Sequence, residues 1–244
     1  MKTKFAFAFV LVGKMLSSCG ASTDTIDSTD VNNDKIYQSY ELRYFESSAK
    51  LFMHAQYRVA GRTGTTVRLI SPSNVSVDNK QMVYHDGSEA VIDTTGSYYK
   101  LETTTKTPAE HYTFAWTTSS GEVLTNILET PKALFVKAPQ PDSENSLDAG
   151  ITVELSGDDL DTRTTVTVHI TSDSASNPVT FQKTVINPPS VTFTREELKE
   201  FPLGRAKIYV RRSITGHLES CNPDVGGQKS SSWYSKEIPI VITD

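Results

Sequence analysis

From Tyr37 onward the chain alternates apolar and polar positions with a period of two. In KLFMHAQYRV, residues 50–59, the side chains of Leu51, Met53, Ala55, Tyr57 and Val59 fall on one face, as a half-buried strand requires. Runs of the same kind follow at 65–70, 81–84, 98–104, 112–117 and 123–128. The texture repeats at 151–155, 164–171, 179–185, 206–212 and 237–243. Clusters of Gly, Pro, Asn and Asp separate the runs and turn the chain. In 164–171, Val166, Val168 and Ile170 alternate with Thr167 and His169, so His169 is expected on an outward face, as is His54. The one helical stretch is a turn or two at 195–201. There Thr194 and Glu197 stand at capping-box spacing, and Leu198 is placed to plug the end of a sandwich. The fold class is all-β.

Pro131, Pro139 and Pro141 flank the apolar residues 133–138, and 140–150 is polar again. One module is expected to end and another to begin at this point, giving β-sandwich domains over 37–130 and 131–244. In TPAEHYTF, residues 107–114, a polar corner precedes Tyr112. This resembles the tyrosine corner of immunoglobulin-like and fibronectin-type domains, in which the hydroxyl bonds back to the preceding loop. The resemblance implies two tandem immunoglobulin-like sandwiches. It implies nothing about function.

The N-terminus carries a different signal. Lys2 and Lys4 precede the apolar run FAFAFVLVG, which is too short to span a bilayer and reads as an export signal. Leu16-Ser17-Ser18-Cys19 then resembles a bacterial lipobox. The resemblance implies a signal peptide over 1–18, with Cys19 lipidated and becoming the first residue of a lipoprotein held by its acyl chains. Acyl chains contribute roughly 0.8 kcal/mol per buried methylene, so the anchor needs no protein segment in the membrane. Lys14, between the apolar run and the lipobox, departs from the pattern. Gly20 rather than Asp after the cysteine is similar to sorting toward the outer membrane. Residues 19–36, rich in Ser, Thr, Asp and Asn, are expected to form a disordered tether. The carboxylates of that tail lack the convergence a cation site needs.

The chain has 24 basic and 29 acidic residues, a formal charge of −5. Cleavage before Cys19 would remove Lys2, Lys4 and Lys14 and take it to −8. An acidic protein is a poor partner for nucleic acid. Its two cysteines, Cys19 and Cys221, cannot form a disulfide if the first is lipidated, so stability must come from packed cores.

Candidate chemistry is sparse. His54, His85, His111, His169 and His217 show no metal-ligand spacing, and no nucleophile elbow or phosphate-binding loop is present. No cofactor and no metal is expected. Asp158-Asp159-Leu160-Asp161 could offer oxygens to calcium, but a solvated turn accounts for it more simply. Residues 214–232 read as a long polar loop, with His217, Glu219, Cys221, Asn222 and Asp224 as a possible binding loop. A cysteine hydrolase would pair Cys221 with a base such as His217, and a cysteine buried against the sandwich end is the plainer account. Tyr98, Tyr99, Trp116, Trp233 and Tyr234 could form a carbohydrate platform, although adjacent strand residues face opposite ways. The sequence therefore points to a lipid-anchored, non-enzymatic envelope protein. It would bind an unknown envelope protein or glycan or support an assembly; a carbohydrate-binding lipoprotein and a hydrolase are the alternatives.

Overall fold

The computed structural model describes residues 25–87, 96–157, 163–173, 178–185 and 189–244. Cys19, the signal segment and the acidic turn Asp158–Asp161 lie outside the described residues. In chain order the first ten strands are β1 (Thr25–Asp27), β2 (Ile36–Phe45), β3 (Lys50–Val59), β4 (Thr66–Arg68), β5 (Asn74–Val77), β6 (Lys80–Gln81), β7 (Val83–His85), β8 (Tyr98–Thr104), β9 (His111–Thr117) and β10 (Val123–Glu129). They are followed by β11 (Leu134–Ala138), β12 (Glu144–Ser146), β13 (Ile151–Gly157), β14 (Thr164–Ser172), β15 (Thr180–Val185), β16 (Ser190–Phe193), β17 (Gly204–His217), β18 (Gly227–Tyr234) and β19 (Ile238–Thr243), with the short helix α1 (Arg195–Leu198) before β17.

The all-β expectation holds, and the strands enclose two hydrophobic cores. In the first, β2 and β3 pack on the sheet β10-β9-β5-β6. Tyr40 meets Phe114 at 5.0 Å and Tyr57 meets Trp116 at 5.0 Å between ring centres. In the second, Val166, Val168, Ile170, Ala206, Ile208 and Val210 face Leu134, Ile151, Val153, Val191 and Phe193 of the sheet β11-β13-β16. Leu198 and Phe201 close that core. The capping box expected at α1 is present: Thr194 accepts the N–H of Glu197, and the Glu197 carboxylate accepts that of Thr194. The tyrosine corner is also present, with the Tyr112 hydroxyl accepting the N–H of Ala109 at 2.9 Å.

Two expectations fail. The tether expected over 19–36 is part of the fold from Thr25 on. Strand β1 pairs in parallel with β4, Asp27 takes a bidentate contact from Arg68 at 2.8 and 2.9 Å, and Ile26 and Val31 pack on the first core. Buried Ser28 accepts the N–H of Ile70 at 2.9 Å. A polar run docks because its hydroxyl and carboxylate groups find backbone and guanidinium partners, which composition does not show.

The division at 130/131 also fails for the C-terminal hairpin. Strand β17 pairs with β19 and β14 in the second sandwich and then, over Arg211–His217, with β18. Strand β18 lies parallel to β2 over eight residues, Gly227↔Gln38 to Tyr234↔Phe45. Leu218 and Trp233 consequently belong to the first core. Arg212, opposite Trp233 in register, is 2 % exposed and donates to the carbonyl of Lys132 at 3.2 Å. It sits where the two cores meet. A single sheet, running from β4 through β3, β2, β18 and β17 to β14 and β15, thus joins both sandwiches.

Candidate functional site

The sequence points to the segment around Cys221, and the structure redraws it. Strand β17 continues to His217 and β18 begins at Gly227, so the expected loop of 214–232 shrinks to 218–226. It is also pinned. The Asn126 side chain, 1 % exposed, donates to the Ser220 carbonyl at 2.9 Å and accepts the Ser220 N–H at 3.0 Å. The Asn222 amide donates to Asp34 at 3.1 Å, and its oxygen accepts the Asp224 N–H at 2.8 Å. Leu218 is buried, with Cys221 packed beside it against the first core. The body of the loop therefore hangs from β10, from the N-terminal arm and from the core, while His217, Glu219, Pro223 and Asp224 remain exposed.

Beside the loop lies a groove of about 220 Å³. Leu128 and Glu129 of β10, residues 214–216 of β17, Glu219, Arg163 and residues 229–231 of β18 line it. Two ion pairs stand there. Arg163 approaches Glu129 at 3.4 Å. Lys229 pairs with Glu219 and also donates to the Ile127 carbonyl at 2.8 Å. The Glu219 carboxylate lies beside the same stretch of β10. Lys229, held by Glu219, thus takes the outward carbonyl of Ile127.

Burial pushes the Cys221 thiol above its ordinary range, which lowers its thiolate fraction and opposes a nucleophilic role. His54 and His169, expected on outward faces and so at the surface, are 5 % and 7 % exposed. They do lie on the sheet's outer face, but they sit on inner strands where long neighbours cover them. Tyr98 packs on His54 at 5.3 Å, and Tyr209 stacks on His169 at 4.5 Å. Burial, with nearby Arg43, Lys100 and His85 for His54 and Arg211 for His169, lowers both imidazoles to about 4. Among the described residues, no group of three or more His, Cys, Asp or Glu is placed to hold a metal ion.

The aromatic candidates for a sugar platform are mostly interior. Tyr98, Tyr99, Trp116 and Trp233 are buried. Tyr234 is half-buried and spends one ring face on Phe45, at 4.4 Å and 12°. Sequence reasoning missed Asn126, Lys229 and Asp34. Asn126 and Asp34 act on the loop across 94 and 188 positions of the chain, whereas Lys229 sits on the paired strand. The one local signal was the alternation in 123–128, which puts Asn126 among inward residues.

Comparison with known proteins gives little beyond this. No protein-family model matches the chain, and no curated protein does. Among solved structures it is similar to the chicken interferon gamma receptor alpha chain, at 10% identity over 84% of this chain and 97% of that one, with a TM-score of 0.27. It is also similar to the FN1-FN3 domains of chicken CNTN1, at 12% identity over 82% of this chain and 67% of that one, with a TM-score of 0.20. Similarity at this level assigns neither a family nor a function.

Proposed function

We propose that this protein is a lipid-anchored, non-enzymatic module of a bacterial cell envelope that binds another polypeptide through the 218–226 loop. The observation that carries the binding role is the Asn126 clamp on Ser220. It holds a loop with exposed Glu219 and Asp224, and exposed His217 at its root, on a rigid sheet. A loop fixed in advance loses little conformational entropy on binding, and loops on rigid scaffolds are common carriers of recognition. The raised Cys221 thiol and the uncharged, buried His54 and His169 support a non-enzymatic role. The anchor rests on the N-terminal sequence alone, with Cys19 as the lipidated residue.

Two measurements test the proposal. A fatty-acid probe should label the wild type and not Cys19→Ala; equal labelling would remove the anchor. Envelope pull-down with the wild type as bait should capture a partner that the double variant His217→Ala/Asp224→Ala loses. Both side chains are exposed, so the melting temperature should stay within about 4 °C. Identical capture by both baits would place the contact elsewhere.

A further inference from the structure

Strand β10 is the outer strand of its sheet, in the order β10-β9-β5-β6. The Glu122 carbonyl accepts from Thr118, and the Thr130 N–H donates to Glu110. The even-numbered residues of this stretch therefore point their backbone groups at β9, and Val123, Thr125 and Ile127 point theirs outward. At Ile127 the outward carbonyl is taken by Lys229, which Glu219 holds beside the edge. At Val123 and Thr125 no partner is present among the described residues. Val123 and Ile127 are also 56 % and 48 % exposed. Two large apolar side chains and two free pairs of backbone groups thus share one short edge. Such an edge is a template for another strand.

We propose that β10 pairs with β10 of a second copy of this chain, antiparallel about a two-fold axis at Leu124. The free groups fix this register. Val123 comes opposite Thr125 of the second copy, and Thr125 opposite its Val123, so all four free N–H and C=O pairs are used. Ile127, with its ion-pair cover, comes opposite Gly121. Gly121 is exposed, and a side chain added there would meet nothing within 4 Å. Gly121, at φ +86°, already belongs to the turn rather than the strand, so the second copy's chain leaves the edge before it reaches the cover. Glu122 falls opposite Asn126, so like charges do not meet, and the Val123–Thr125 pairs flanking the axis are β-branched on both sides, which favours pairing. The same patch on each copy gives a closed, isologous dimer. Glu219 and Lys229 set its length by ending the available edge at Thr125.

So short an interface makes a weak dimer, with a dissociation constant on the order of 0.1–1 mM. Sedimentation equilibrium of the full chain in reducing buffer should show concentration-dependent dimers. Thr125→Pro removes an outward N–H from an edge strand, where proline is tolerated. Val123→Lys places a charge there without touching the backbone. Both variants should stay monomeric at wild-type melting temperature. Amide exchange at Val123 and Thr125 should slow as the wild-type concentration rises and not in Val123→Lys. A wild type that stays monomeric at about 1 mM, with both amides exchanging freely, would overturn the proposal and leave the edge to a strand of another protein. A dimer undiminished in both variants would overturn it in favour of another surface.

Discussion

The two sandwiches solve the same packing problem with different side chains. The first fills its core with Tyr40, Tyr44, Tyr57, Tyr99, Phe114, Trp116 and Trp233. The second relies mainly on Val, Ile and Leu, with Phe193 and Phe201. Aromatic rings bury more surface each, but their polar ends need partners. The first core supplies most of them. Tyr40 donates to Gln38 at 2.9 Å and contacts the Tyr57 hydroxyl at 3.3 Å. Tyr44 reaches the carbonyls of Thr105 and Lys106, Tyr99 accepts the Leu69 N–H, and the Trp116 indole donates to Ser73. These bonds tie the core to named loop positions. Among the described residues the aliphatic core offers no side-chain donor or acceptor, so it is specified by volume. Loss of one group in the first sandwich should therefore disturb hydrogen bonds as well as packing.

The largest effect is expected at Trp116, which is fully buried. Trp116→Ala should cost roughly 3–5 kcal/mol, read by chemical denaturation. Ile208→Ala in the second core, a smaller deletion, should fall toward the lower part of roughly 2–5 kcal/mol. Equal costs would mean that the hydrogen-bonded rings add nothing beyond their volume.

The pH dependence should be shared. His54 and His169 have folded-state pKa values of about 4, below the ordinary 6.5. Between those values the unfolded chain binds the protons and the folded chain does not. Stability is then complete above about pH 6.5 and falls as the pH drops toward 4, by up to about 1.4 kcal/mol per pH unit for each histidine. His169→Phe, which keeps a ring against Tyr209, should halve that slope in urea titrations at pH 4.5–6.5. An unchanged slope would show that His169 is not the group titrating.

Tyr40→Phe should cost about 1–3 kcal/mol despite its small change in volume, because it strips Gln38 and Tyr57 of a buried partner. A cost near zero would remove the distinction between the cores. The smallest effect belongs to the second sandwich. Thr194→Ala removes the cap of α1 and should cost about 1 kcal/mol, seen as a lowered melting temperature while the first-core tyrosine signals stay in place.

How legible all this was depends on range. Alternation located the strands, and local spacing located the capping box at Thr194 and the corner at Tyr112, because those contacts close within three residues. The docking of Asp27 on Arg68 spans 41 positions, and the Asn126 clamp on Ser220 spans 94. No local pattern encodes either. Cys221, expected buried against the sandwich end, is half-buried against the first core, and its loop looked longer than it is, since GQKSSSWY resembles loop composition. Those polar residues form a strand because β2 and β17 flank them and satisfy their backbone on both sides. The histidines were set on the right face and the wrong depth: period two gives the face of a sheet, whereas cover depends on the neighbouring strands.

The shared hairpin is the claim on which the two-core comparison stands, since Leu218 and Trp233 reach the first core from the far end of the chain. The most direct test is the NMR spectrum of residues 25–130 alone, and again after adding residues 131–244 as a separate fragment. Without β18 the first fragment should lack dispersed amide signals and the upfield methyl signals of an ordered core, and the second fragment should restore both. A fragment 25–130 that gives a dispersed, native-like spectrum by itself would contradict the account.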